Sequence, residues 1–99
     1  MTDLARGATN DKYEPMQKIN DAANDAVVEV CRATQKWPSF NSAHEGFAVL
    51  KEEVDELWDE VKVGQKYRDL KKMRAEAIQV AAMALRFAAE VCNEERGRK

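Results

Sequence analysis

Four carboxylates in this sequence have the types and spacing to hold a hard cation: Glu52, Glu53 and Glu56 in an E-E-x-x-E unit, then Glu76, with Gln79 three residues on as a second polar group in the same apolar run. Carboxylates packed this closely repel one another, and a divalent ion that takes oxygen ligands relieves the repulsion. On an α-helix each residue advances about 100°, so Glu52, Glu53, Glu56 and Glu60 share one arc, with Glu45 two turns earlier on the same arc. Such an arc is otherwise a solvated face, paired with neighbours such as Lys51 and Lys62. Glu76 is a different case, because it stands in an apolar run where an unpartnered carboxylate is costly. It needs a cation or an arginine, and Arg74 and Arg86 are the arginines within reach in sequence.

The elements that must position these groups read as three helices. Over residues 15–35, Ile19, Ala23, Ala26, Val27, Val30 and Ala33 trace one apolar face, with Pro15 suited to the first turn. Residues 36–41, KWPSFN, contain Pro38 and two aromatics and form a structured loop. Ser42 followed by Glu45 is a capping box, which starts the second helix near Ala43 and carries it to about Val63, where Gly64 stops it. Phe47, Leu50, Val54, Leu57 and Val61 recur at steps of three and four and predict its buried seam. The third helix spans roughly residues 67–94. From residue 75 to 92 it is apolar on nearly every side, which predicts cover from other copies of the chain.

There are no strand signals and no internal repeats. The expected architecture is all-α, an antiparallel bundle of three main helices completed by oligomerisation, with residues 1–13 as a flexible tail and 14–99 as one domain. Ninety-nine residues bury a modest core, which favours association further.

With 16 basic against 18 acidic residues, the formal charge of -2 offers no general attraction to nucleic acid or an anionic membrane. Charge is segregated instead. Residues 45–60 hold seven acids and one lysine, whereas residues 64–74 hold Lys66, Arg68, Lys71, Lys72 and Arg74 against Asp69. Cys31 and Cys92 have no metal or redox spacing and read as small core residues. Without an h-region or a run of about 18 apolar residues, a cytoplasmic protein is expected, with no membrane and no nucleic-acid partner.

Antiparallel pairing of the second and third helices through the turn at residues 64–66 brings Glu53, Glu56 and Glu76 together. Carboxylates converging on one point read as a Mg²⁺ site, with Mn²⁺ as a possible substitute. Lys66, Arg68, Lys71 and Lys72 could then neutralise the phosphates of a bound triphosphate. Trp37 and Phe40 could stack its base, although core or interface packing is the plainer role for them and for Trp58. His44 suits packing or capping, and Met73 and Met83 suit core filling. A di-iron bundle needs Glu-x-x-His pairs, and His44, the one histidine, is not in one.

The order Glu52-Glu53-x-x-Glu56, residues 57–75, then Glu76-x-x-Gln79 resembles the E-E-x-x-E…E-x-x-D signature of the MazG-like all-α NTP pyrophosphatases. The resemblance extends over about residues 16–91, including helix order and the apolar third helix. It implies Mg²⁺-dependent cleavage of a nucleoside triphosphate substrate between the α- and β-phosphates, giving monophosphate and pyrophosphate, by a homo-oligomer, dimer or tetramer. Glu53, Glu56 and Glu76 match metal ligands, and Glu52 matches the remaining motif acid, binding metal or orienting the attacking water. The set Glu52, Glu53 and Glu56 is then catalytic. The sequence departs from the pattern at Gln79, where the family has Asp. A carbonyl oxygen remains for the metal set, but one negative charge is lost. The alternative is therefore a non-catalytic helical oligomer, a degenerate relative that binds nucleotide or another protein.

Overall fold

A computed structural model describes residues 10–93, with side chains from residue 15 onward. It contains α1 (Asn10–Lys36), α2 (Ala43–Val61), a 3₁₀ turn (Gln65–Tyr67) and α3 (Leu70–Glu90). Among the described residues there is no strand, so the all-α expectation holds. Of the expected tail, residues 1–9 lie outside the described range and residues 10–13 are already helical. Pro15 consequently sits inside α1, not at its first position. Close to a helix start this is tolerable, because a missing N–H there breaks one bond at the end of the ladder.

Local chemistry explains the boundaries. The Ser42 hydroxyl accepts from the Glu45 N–H at 3.1 Å, while the Glu45 carboxylate accepts from the Asn41 N–H at 2.7 Å. The reciprocal bond thus reaches one residue further back than the standard box, and the start at Ala43 is as expected. At the other end the chain leaves α2 at Val61, turns at Gly64 with φ of 91°, and forms the 3₁₀ turn. The third helix begins later than its apolar pattern suggests, because the Asp69 carboxylate caps the N–H groups of Lys71 and Lys72 at 3.0 and 3.2 Å.

α3 is the central element and packs against both others. Gly46 faces Phe87, Glu56 faces Glu76, and Glu60 faces Lys72, so α2 and α3 run antiparallel. Asp25 pairs with Arg74, and Ala33 shares a core cluster with Ala82 and Met83, so α1 and α3 run parallel. This register leaves the first three turns of α1 beyond the start of α3. The radius of gyration is 16.6 Å, against about 13 Å for a compact chain of this size.

The buried apolar core is small: Ala26, Ala33, Phe40, Ala82 and Met83. Gly46 lets α2 approach it closely, because a Cβ there would lie 2.8 Å from the Phe87 ring and 3.0 Å from that of Phe40. The expected seam of α2 is only partly covered. Leu50, Leu57 and Val61 are half-buried, but Phe47 and Val54 are exposed, at 59% and 44%. The three-four spacing spreads a stripe wider than one partner helix can cover. Cys31 and Cys92 are also exposed, which corrects their assignment to the core. Met83 is buried and Met73 half-buried, as core filler should be, and His44 is exposed.

Candidate metal centre

Two adjacent helices build the acidic site. Glu53 and Glu56 project from the middle of α2 and Glu76 from the second turn of α3, and one ligand oxygen from each lies within 4.8 Å of the others. The antiparallel register produces this meeting, since the mid-part of α2 must lie beside the early part of α3. Glu76 Oε2 is fully buried and has no hydrogen-bond partner. The arginines that might have neutralised Glu76 are engaged elsewhere: Arg74 with Asp25 at 2.9 Å, Arg86 with Glu90 at 2.8 Å.

The electrostatics follow from this crowding. Burial, followed by the charges of Glu56, Glu76, Glu52 and Glu29, raises the pKa of Glu53. Glu76 is also raised, first by burial, then by Glu56, with which it could share a hydrogen bond only when one of the two carries a proton, and by the charges of Glu56 and Glu60. Lys72 opposes that shift. A divalent cation would replace the missing positive charge and give the orphaned oxygen a partner, so the donor set fits a hard ion.

The remaining expected residues divide. Gln79 is half-buried one turn beyond Glu76, where it lines a hollow of about 240 Å³ between α1 and α3 with Asp25, Glu29, Arg32 and Arg74. Glu52 is not in the converging trio; it lines a separate cleft beside it. Of the four basic candidates, Lys72 comes closest to the acids, pairing with Glu60 at 3.4 Å. Arg68 instead donates to the Val61 carbonyl at 3.0 Å, which ties down the turn after α2. Lys66 lies over the Tyr67 ring and Lys71 is exposed.

The neighbouring cleft has a volume of about 400 Å³ and is lined by Trp37, Pro38, Phe40, Glu45, Val49, Glu52 and Arg86. Trp37 is exposed and stands as one wall. Phe40 is 4% exposed, with the Arg86 guanidinium 4.5 Å from its ring centroid. It is a core plug under the cleft, so Trp37 is the ring available for stacking. The loop is fixed to the end of α3 by Arg86 Nη2 donating to the Pro38 carbonyl at 2.9 Å and by the Phe40 N–H donating to Glu90 at 2.9 Å.

Sequence reasoning gave Glu29 no role, although its charge reaches Glu53. Its signal was present: residues 26, 29, 30 and 33 follow helical spacing, which places Glu29 on the stripe of α1 that faces α3. The Arg86–Glu90 anchor was also missed, because an i,i+4 ion pair reads as two polar interruptions of an apolar helix. No family model matches this chain, and no curated protein or solved structure matches it either.

Proposed function

We propose that this chain is a Mg²⁺-dependent nucleoside triphosphate pyrophosphohydrolase of the MazG-like kind, converting a (d)NTP into (d)NMP and pyrophosphate. The observation that carries the reading is the buried, unpartnered Glu76 oxygen beside Glu53 and Glu56. Bound Mg²⁺, or Mn²⁺ in its place, would acidify a coordinated water and neutralise phosphate charge. The chain's own residues supply the rest. Glu53, Glu56 and Glu76 present oxygens from two rigid helices, so the ligand set needs little reorganisation. Lys72 holds a positive charge at the rim, where it can turn from Glu60 to a phosphate oxygen. The cleft beside Glu52 has room for a nucleoside. Water adds to phosphorus, the bond between the α- and β-phosphoryl groups breaks, and pyrophosphate leaves.

The same reading has the chain working as a homo-oligomer. A groove of about 730 Å³ between α1 and α3, lined by Ile19, Ala22, Ala26, Ile78, Ala81 and Leu85 among others, is almost wholly apolar. Phe47, Val54 and Trp58 add an exposed row on α2. A second copy would cover what the small core leaves open. A monomeric mass by sedimentation at working concentration would contradict this.

The second reading, a non-catalytic nucleotide-binding or interaction module, is favoured by one observation: Gln79 supplies no charge where the resembled signature has an acid. Pyrophosphate release from a panel of (d)NTPs with Mg²⁺ or Mn²⁺ separates the two. The enzyme reading expects metal-dependent turnover that falls at least about a hundredfold in Glu53→Ala and Glu56→Ala. No turnover by the intact chain, with nucleotide still bound, would leave the second reading.

A further inference from the structure

Glu52 is a member of the E-E-x-x-E unit by sequence but not of the converging trio by position. Its side chain lines the cleft formed by the 37–40 loop, α2 and Arg86. Glu45, Val49 and Glu52 recur at steps of four and three along α2, so they form one continuous wall of that cleft. The same stripe continues to Glu53 and Glu56, the latter about 6 Å further along the helix. A ligand seated in the cleft therefore has the trio next to it.

The polar groups of the cleft are not equivalent. Both Glu45 oxygens are engaged by Asn41, at 2.7 Å to its N–H and 3.2 Å to its Nδ2. Arg86 is engaged by Glu90 and by the Pro38 carbonyl. Glu52 has no hydrogen-bond partner among the described residues. An ionised carboxylate only accepts hydrogen bonds, so it selects for donors. Trp37, 58% exposed, offers a flat apolar wall at the cleft mouth, with Lys36 5.5 Å from its ring centroid. Trp37 and Glu52 line the same cleft, so a planar ring stacked on the indole would occupy the space that the Glu52 carboxylate borders.

We propose that Glu52 is a specificity residue that reads the base: the cleft takes nucleobases with an exocyclic amino group, namely cytosine, adenine and guanine, over uracil and thymine. The amino group donates to the Glu52 carboxylate. Uracil and thymine offer only the ring N3–H on the corresponding edge, flanked on both sides by carbonyl oxygens whose lone pairs meet the carboxylate unfavourably, so the contact is weaker. Because Glu52 is exposed, the discrimination is moderate, on the order of tenfold and not the larger factors of a buried pair.

This inference rests on the nucleotide reading of the site, and its test is independent of metal and of turnover. Binding of CMP, AMP, GMP, UMP and TMP to the full chain in excess EDTA is followed by the shift of the Trp37 indole N–H resonance. The amino-bearing monophosphates should bind about tenfold more tightly than UMP and TMP. In Glu52→Gln, whose amide both donates and accepts, the ratio should fall below about threefold with the dispersion of the spectrum retained. Equal affinities in the intact chain, an unchanged ratio in the variant, or no perturbation of Trp37 would overturn the proposal. Metal-dependent hydrolysis without base preference would remove the Glu52 role and leave the hydrolase. Preference without hydrolysis would do the reverse.

Discussion

α3 carries charge into the protein at two places about three turns apart, and the two are handled in opposite ways. At Arg86 the charge is settled within the chain. Its side chain is 3% exposed and meets Glu90, the Pro38 carbonyl and the face of Phe40. At Glu76 the converging groups are Glu53 and Glu56, Lys72 offsets them only in part because it also pairs with Glu60, and one oxygen has no hydrogen-bond partner. The first arrangement holds a loop against a helix end. The second has a deficit that only something from outside, a proton or a cation, can make good. Burial of a charge is therefore no sign of function by itself on α3; burial with too little counter-charge is what makes Glu76 the candidate.

That contrast can be broken most forcefully at its structural end. Arg86→Met should destabilise the chain by about 3 kcal/mol, because Glu90 loses its counter-charge and Phe40 its cover. Chemical denaturation measures this, and a loss under about 1 kcal/mol would mean that the anchor is dispensable. At the acidic end the effect should have the opposite sign. Glu76→Gln removes a repelling charge and should raise metal-free stability by about 1 kcal/mol. The intact chain should instead gain about 2.7 kcal/mol from Mg²⁺ at a hundredfold excess over Kd, a gain that the variant loses. Thermal unfolding with and without Mg²⁺ reads both effects, and equal stabilisation of the two proteins would place the ion elsewhere.

A third change sharpens the picture of the anchored end. Gly46→Ala improves helix propensity by about 1 kcal/mol, yet its Cβ would press on Phe87 and Phe40. Net destabilisation of about 1–2 kcal/mol is expected on unfolding; a stabilised variant would show that the two rings yield freely. The smallest effect concerns pH. Glu53 and Glu76 are raised above their ordinary 4.5, so the folded state binds more protons than the unfolded chain in the interval just above that value. Metal-free stability should therefore fall as pH rises through that interval. Mg²⁺ should flatten or reverse the slope, and a metal-free curve that rises with pH instead would contradict the crowding.

Much of this arrangement could be read from residue order because it depends on local rules. Ser42 and Glu45 announce the start of α2, and a short turn after an acidic helix forces Glu53 and Glu56 toward Glu76. What could not be read depends on how wide a face the neighbours cover. Phe47 and Leu50 follow the same periodicity, yet one is exposed and the other half-buried, since periodicity gives a direction and not a partner. The late start of α3 was hidden for a related reason. Asp69 reads as one acid in a basic stretch until its carboxylate is seen accepting from two backbone N–H groups.

The overhang of α1 has a consequence for how the chain behaves as it is diluted. Ahead of the Asp25–Arg74 pair, α1 meets α3 along the edge of the apolar groove at Ile19, Ala22 and Ala23, and so thinly packed a stretch is shorter than the length at which an isolated helix persists in water. Met16 and Ile19, 40% and 58% exposed, lie on that stretch. If the proposed second copy seats against this stretch, ellipticity at 222 nm should rise with concentration, and a signal independent of concentration would count against that copy. The α2–α3 pair that carries the acids lies outside that stretch, so its geometry should not depend on concentration.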